Sequence, residues 1–314
     1  MDEKMLSTAL LILARAAHIA ASILITGTLT FQIIALGSAS SSFIEDFRDL
    51  NRQLLRLTFG ALVAALVSAF VWYWLEVVNM SGLSLVNSFS GTAWQTVLFQ
   101  TKFGRAWLVR LGVIALLFAL TAFCFGGDKP RRACEFVAWL LSVVLLVSLA
   151  WISHAAAVST QPLGTLGDAV HLYAAAAWIG GLLPLAIFLR RARASLSLRK
   201  SAPRVIGRFS TLSLCCATAL IITGISNSWL LVGSFHALFT TVYGWLLVGK
   251  LAMFGLLLFL GANNRFVAKK LRNVGGDSDL LSRLRRNVLL EMCFGAAVIA
   301  IVACLGVTPP ARHF

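Results

Sequence analysis

The sequence predicts an all-α, polytopic membrane protein with eight transmembrane helices, and three observations lead to that prediction. Of the 314 residues, 59% are hydrophobic and only 12% are charged, whereas a soluble domain carries roughly a quarter charged residues. The mean hydropathy is +0.86. The apolar residues come in blocks of about 20 or more, the length that a helix needs to cross a hydrocarbon core ~30 Å thick. Because backbone amides in lipid must be bonded within their own segment, these blocks are predicted to be helices.

The apolar blocks set the bounds of the eight predicted spans. In chain order, the spans are Leu6–Leu36, Leu55–Val78, Gly104–Phe125, Ala133–Trp151, Asp168–Leu189, Gly207–Val232, Val242–Phe266 and Val288–Val307. The first span is longer than a bilayer requires and is expected to protrude at its N-terminal end. An even number of crossings puts both termini on the same side of the membrane.

Basic residues are distributed unevenly between the connections, although the formal net charge of the chain is +15. The connections after the third, fifth and seventh spans are rich in Lys and Arg, whereas those after the fourth and sixth have none. The positive-inside rule therefore places the basic connections in the cytoplasm and both termini in the periplasm. The charge also suits contact with anionic membrane lipid, and its distribution does not indicate a nucleic-acid partner.

Two motifs recur in the same order in the two halves of the chain. A His followed nine residues later by Gly lies in the first and fifth spans, and a Thr nine residues before a basic residue precedes the third and seventh. These pairs are His18 and Gly27, His171 and Gly180, Thr101 and Arg110, and Thr241 and Lys250. We predict a parallel 4+4 internal repeat, with residues 1–155 and 156–314 as its units, related by an axis along the membrane normal. Chance similarity between apolar helices is the alternative.

Three histidines are predicted to lie near the periplasmic ends of spans, namely His18, His154 and His171. The repeat places His18 and His171 at equivalent depths, and a short connection with Pro and Gly brings His154 close to His171. Imidazole suits copper, zinc and iron, including haem iron. We predict a metal site between the halves that receives an imidazole from each. Hydrogen bonding between helices is the alternative role of such residues.

Charged residues within or near the spans support this prediction. Arg15 and Asp168 each precede a repeated histidine by three residues and therefore share its helix face. An Arg15–Asp168 pair across the repeat axis is predicted to hold the site together. Arg110 and Lys250 either act at the site or extend toward the membrane interface. The sequence has no Walker A, HExxH, GxSxG or Rossmann motif, so it does not indicate an enzyme.

Ordered, correctly spaced residues carry a family resemblance over most of the chain. In the second half they are His171, Trp178-Ile179-Gly180-Gly181-Leu182, Arg208-Phe209-Ser210, Thr223-Gly224, Asn227, Tyr243-Gly244, Lys250 and Asn264-Arg265, preceded by Ser153-His154-Ala155. In the first half they are Thr101, Phe103-Gly104-Arg105, Trp107 and Arg110. With these residues the chain resembles the CopD (copper resistance D, PcoD/YcnJ-like) family of bacterial inner-membrane copper proteins. It departs from the family at Trp245, where Arg is usual.

The resemblance implies copper transport, homeostasis or resistance in the inner (plasma) membrane. A copper ion would be taken at the periplasmic side by His18, His154 and His171, with Arg15, Asp168, Trp178 and Lys250 in support. The partner implied is a periplasmic CopC-like copper carrier on a separate chain. Two alternatives remain open. One is a redox protein that holds haem b between paired transmembrane histidines, and the other is a non-transporting partner of a periplasmic copper chaperone.

Overall fold

The computed structural model describes residues 3–37, 45–89, 91–125, 132–152, 162–232, 234–274 and 277–309. Helices are the regular secondary structure of these ranges, and no strand occurs in them. The all-α prediction is therefore confirmed.

The helices of residues 3–152 form a bundle around α1. They are α1 (Glu3–Thr30), which continues as a π-helical turn Phe31–Leu36, and then α2 (Glu45–Ser81), α3 (Gly91–Gln100), α4 (Lys102–Phe125) and α5 (Arg132–Val147). Both α2 and α5 pack against α1, and α4 packs against α2 and α5. Thr26 ties α1 to α5, because its hydroxyl donates a hydrogen bond of 3.0 Å to the carbonyl of Ser142.

The helices of residues 162–309 follow a similar order. They are α6 (Pro162–Ala175), a π-helical turn Ala176–Gly180, α7 (Gly181–Ala194), α8 (Leu196–Val232), α9 (Phe235–Thr240), α10 (Val242–Val274) and α11 (Ser278–Leu305). Pro184 lies inside α7 and has no N–H to offer the Gly180 carbonyl one turn earlier, where the π-helical turn ends. The side chains of Ser234 and Asp277 cap the N-termini of α9 and α11.

Seven helical segments among the described residues are long and apolar enough to cross a membrane. They are Glu3–Leu36, Glu45–Ser81, Lys102–Phe123, Gly164–Ala194, Leu196–Ser228, Val242–Asn273 and Ser278–Leu305. Each overlaps a predicted span, which makes the protein a multi-pass membrane protein. The predicted fourth span corresponds to α5, whose 16 residues extend only ~24 Å at ~1.5 Å per residue. The eighth crossing stays a prediction.

Three helices are much longer than the spans predicted for them. Both α2 and α8 have 37 residues and α10 has 33, compared with the ~20 that a bilayer requires. The additional turns pack together through apolar residues at helical spacing, including Leu50, Leu54, Leu198 and Leu271, all at most 1% exposed. Hydropathy detects only the part of a helix that faces lipid. For this reason it missed the amphipathic extensions.

A reciprocal contact between backbones joins the two halves. Helix α1 packs against the π-helical turn Ala176–Gly180 as well as against α7 and α11. A Cβ atom added to Gly27 would overlap the backbone of Gly180 and Ala176, and one added to Gly180 would overlap the backbone of Ile23. Ile23 and Ala176 each precede their glycine by four residues, so the contact has the same form viewed from either helix.

We expect Gly27→Ala to weaken the association of the halves. Backbone atoms cannot move aside as a flexible side chain does, so the free energy of unfolding should fall by about 1–3 kcal/mol. The midpoint of thermal unfolding in detergent, followed by tryptophan fluorescence, measures this loss. Gly112→Ala on α4 is the control, because its added methyl group meets no described atom within 4 Å. Equal midpoints for the two variants would contradict the prediction.

Candidate functional site

His18 lies in the core of the first bundle and is fully buried. Its Nδ1 is 3.0 Å from the Ala65 carbonyl oxygen, and its Nε2 is 2.6 Å from a terminal nitrogen of Arg110. A guanidinium can only donate, so Nε2 accepts and Nδ1 carries the proton that is donated to Ala65. Both ring nitrogens are therefore used within the protein. Nε2 could bind a metal only if its hydrogen bond from Arg110 were broken first.

Arg110 is also buried, with 1% of its surface exposed. Its Nη1 donates to the Leu145 carbonyl at 2.7 Å and to the Ser148 hydroxyl at 2.5 Å. Thus α4 is joined to α1 and to the end of α5 by one guanidinium. The sequence left open whether Arg110 extends to the interface, and the structure shows that it does not.

Aromatic rings connect His18 to two further charges. The ring centroids of His18 and Trp72 are 5.5 Å apart, and Trp72 donates its indole N–H to Glu76 at 3.1 Å. Arg15 lies over the Trp72 ring, 4.7 Å from its centroid, and 3.7 Å from the Glu76 carboxylate. The ion-pair partner that the structure gives Arg15 is thus Glu76 of its own half, rather than the predicted Asp168.

A cavity of about 1350 Å³ opens at one end of the bundle. Residues of both halves line it, among them Arg15, Glu76, Asp168, His171, Tyr243 and Lys250. It lies where α1, α4, α6 and α10 begin and where α2, α8 and α11 end, which is the end that the predicted topology places in the periplasm. His18 is not part of its lining.

His171 differs from His18 in having an uncommitted nitrogen. Its Nδ1 is 2.8 Å from the Thr223 hydroxyl on α8, and that hydroxyl is 2.6 Å from the Ala219 carbonyl oxygen. A hydroxyl has one hydrogen, and a carbonyl can only accept it, so His171 donates to Thr223 through Nδ1–H. Nε2 then keeps its lone pair, and the partly exposed ring lies at the cavity wall.

Polar and charged side chains surround His171. Asp168, three residues earlier on α6, accepts a hydrogen bond of 2.6 Å from the Asn227 amide of α8. Lys250 of α10 is close enough for its charge to act on both Asp168 and His171. The cavity therefore combines an imidazole and a carboxylate from α6 with an ammonium group from α10.

The two halves use the same local hydrogen bonds around their repeated residues. Ser68 contacts His18 as Thr223 contacts His171, and each hydroxyl donates at 2.6 Å to an alanine carbonyl four residues earlier. Thr101 and Thr241 each accept from the backbone N–H of the glycine three residues on, at 2.9 and 3.0 Å. The halves differ in the basic residue that follows. Arg110 bonds to its histidine, whereas no hydrogen bond joins Lys250 to His171 in the described structure.

The remaining predicted site residues lie elsewhere. His154 is outside the described residues. Trp178, 2% exposed, is part of the π-helical turn, and its indole lies close to the Glu291 carboxyl group of α11. Across the described ranges, no group of three or more His, Cys, Asp or Glu side chains could hold a metal ion. Metal binding by His18, His154 and His171 stays a prediction, and of the three only His171 is seen to line the cavity.

Haem b held between His18 and His171 does not fit these contacts. Haem iron needs the free lone pair of each axial imidazole, and the Nε2 lone pair of His18 accepts from Arg110 while Nδ1 donates to Ala65. Coordination would leave a buried guanidinium without one of its acceptors.

No site role was predicted for three residues that shape the site. Thr223 and Asn227 orient His171 and Asp168 from α8, and Glu76 joins Trp72 to Arg15. Glu76 is evident in the sequence as an ionisable residue within a span, which is costly without a partner, but the sequence does not identify that partner. Polar residues four apart in an apolar helix were the available signal for Thr223 and Asn227.

Two family profiles match the chain. The one described as copper resistance protein D-like, N-terminal domain, matches residues 5–165, and the one described as copper resistance protein D matches residues 203–305. No solved structure matches the chain.

Three curated proteins are similar along much of the chain. The copper transport protein CutJ of Bacillus subtilis is 25% identical over 89% of this chain, which spans only 49% of the CutJ length. Copper resistance protein D of Pseudomonas syringae pv. tomato is 29% identical over 67% of this chain and 70% of its own length. The inner membrane protein YebZ of Escherichia coli is 28% identical over 84% of this chain and 87% of the YebZ length.

The His18–Arg110 contact should behave as a coupled structural pair. His18→Leu removes an acceptor from a buried guanidinium and should lower the free energy of unfolding by about 1.5–3 kcal/mol. Arg110→Met removes the charge itself, and the double variant should lose less than the sum of the single losses. Urea unfolding in detergent measures all three variants. Strictly additive losses would show that the two side chains do not depend on each other.

Proposed function

Because the chain belongs to the copper resistance protein D family, we propose that it is an inner-membrane copper protein that takes copper from the periplasm at the cavity containing His171. Copper is the cargo in this proposal. The names of two similar proteins, CutJ and copper resistance protein D, support copper as the metal, and YebZ supports the inner membrane.

The observation that carries the proposal is the free Nε2 of His171 at the wall of an open cavity. Neutral imidazole with an available lone pair is a ligand that copper accepts readily. Thr223 fixes the ring by accepting from Nδ1, which is the role of an outer-shell partner in protein metal sites. Asp168 adds a carboxylate from the same helix face, and its negative charge offsets that of an arriving cation.

Two donors from α6 do not complete a copper site. His154, which precedes α6 by only eight residues in the sequence, is our candidate for the third donor. Lys250 lies among these groups as the counterpart of Arg110. Its positive charge offsets that of the Asp168 carboxylate, which favours a site that binds copper and also releases it.

Matched contacts in the two halves support a 4+4 duplication with diverged roles. The repeated His-Gly and Thr-Gly motifs, the hydroxyl contacts of Ser68 and Thr223, and the reciprocal glycine packing all relate one half to the other. In the first half the imidazole is locked by Arg110 and holds the bundle together. In the second half the equivalent imidazole is left for the cargo, delivered by a separate periplasmic copper carrier.

Copper binding should depend on His171 and not on the His18–Arg110 pair. We expect His171→Ala to weaken copper binding by more than the ~10–100-fold that loss of an outer-shell partner costs. The His18→Leu/Arg110→Met double variant is the matched control and should bind copper as the unsubstituted protein does. Titration of detergent-purified protein with copper, followed by elemental analysis, measures the stoichiometry. Unchanged binding in His171→Ala would remove the proposal.

An absorption spectrum of the same samples tests the haem b alternative, since haem gives a Soret band and copper bound by side chains does not. Copper uptake by proteoliposomes separates a transporter from a non-transporting partner of a periplasmic chaperone. A transporter accumulates copper in the lumen, whereas the partner only binds it.

The proposed topology places both ends of the chain and the cavity on the periplasmic side. Alkaline phosphatase fused after Phe314 should be active, because the enzyme folds only in the periplasm, and the same fusion after Arg272 should be inactive. Phosphatase activity of whole bacteria measures both. If only the Arg272 fusion were active, the topology would be the reverse of the proposed one, and the cavity would open to the cytoplasm.

A further inference from the structure

A second polar cluster lies deeper in the bundle and has no part in the cavity. Its centre is Glu291 of α11, which is 2% exposed. Asn264 of α10 donates its amide N–H to Glu291 Oε1 at 2.5 Å, and the indole N–H of Trp178 lies close enough to act on the same carboxyl group. Asn287, one turn before Glu291, donates at 2.9 Å to the Asn264 side-chain oxygen.

Every partner of this carboxyl group in the described structure is electrically neutral. No Lys, Arg or His there forms an ion pair with Glu291. The elements packed against α11 are α1, α7, α10 and the π-helical turn. The turn has no ionisable residue, α1 has none after His18, and α7 has none before Arg190. On α10, Lys250 lies four turns away at the cavity, and the adjacent Arg265 points toward Ser210 of α8.

The cluster lies below the floor of the cavity, on the side away from its opening. Asn264 and Glu291 each lie seven residues, or two helical turns, from a residue that lines the cavity, Leu257 and Val298 respectively, and Trp178 directly precedes Ile179, which is part of the cavity wall. Ile179 also packs so closely on Gly295, one turn from Glu291, that an added Cβ there would meet its side chain. An apolar contact therefore separates the cavity from the carboxyl group.

A carboxylate in this setting is costly because two neutral donors do not replace a countercharge or water. A carboxyl group kept in such a place holds a cation, and a proton is the cation that fits without further ligands. We propose that Glu291 is a proton-binding site of the membrane interior, occupied by a proton at neutral pH.

The coupling of this site to copper rests on the proposed function. When a copper ion passes below the cavity floor, the O–H bond of the Glu291 carboxylic acid breaks and the proton leaves toward the Asn287 end. The resulting carboxylate carries one negative charge, which compensates one positive charge of the ion. One proton is thus exchanged for each copper ion that passes, and copper movement through the bundle depends on the proton gradient.

Infrared spectroscopy tests the proton site without any copper. The purified protein at neutral pH should show a carboxylic-acid C=O stretching band that is missing in Glu291→Gln, whose amide oxygen still accepts from Asn264. Glu135→Gln, at the buried carboxyl group of α5, is the matched control and should keep the band. Asn264→Leu, a second variant, should shift the band to higher frequency by removing a donor. A spectrum unchanged in both Glu291→Gln and Asn264→Leu would overturn the proposal.

Proteoliposomes test the coupling. An imposed pH gradient should change the initial rate of copper uptake in the unsubstituted protein and in Glu135→Gln, and this dependence should disappear in Glu291→Gln. Gradient-dependent uptake that persists in Glu291→Gln would overturn the coupling while leaving copper transport in place. No uptake by any variant would instead count against a transport function, and the infrared band would still decide whether Glu291 holds a proton.

Discussion

The backbone contact between Gly27 and Gly180 is the constraint on which the rest of the arrangement depends. It brings α1 against the π-helical turn and thereby fixes how each helix is rotated about its own axis. His18 precedes Gly27 by nine residues, about 2.5 helical turns, so its side chain points to the opposite face of α1, away from the second half. His171 likewise faces α8, where the Thr223 hydroxyl accepts a hydrogen bond from its Nδ1–H. The two imidazoles are therefore directed into their own bundles.

This rotation changes the view of the site that the sequence suggested. A repeat with one histidine per half favours a shared site on the axis, but that inference uses depth alone and ignores direction. The glycine contact sets the direction in which each histidine side chain points, and the two histidines therefore lie in separate environments. In one environment Arg110 occupies the imidazole lone pair, whereas in the other the Lys250 counterpart leaves it free.

Buried charge in this membrane protein is handled differently in the two halves. In the first half, Arg15 and Glu76 form an ion pair beside the ring of Trp72, and the terminal nitrogens of Arg110 donate to neutral acceptors. In the second half, charge collects at the cavity, and Glu291 remains apart with neutral donors only. Groups whose charge is compensated within the protein stabilise it. Groups whose charge is not compensated are available to exchange a cation or a proton.

The sequence by itself determined the helical class, the positions of seven membrane-spanning segments and the family, because hydropathy and ordered motifs are local properties of the chain. It also identified His171, Asp168 and Lys250, which do line one cavity. The tertiary structure alone decided that Arg15 pairs with Glu76, that His18 is held by Arg110, and that Trp178 reaches Glu291. These outcomes depend on helix rotation and on partners distant in sequence, and neither is encoded in the spacing of residues along one helix.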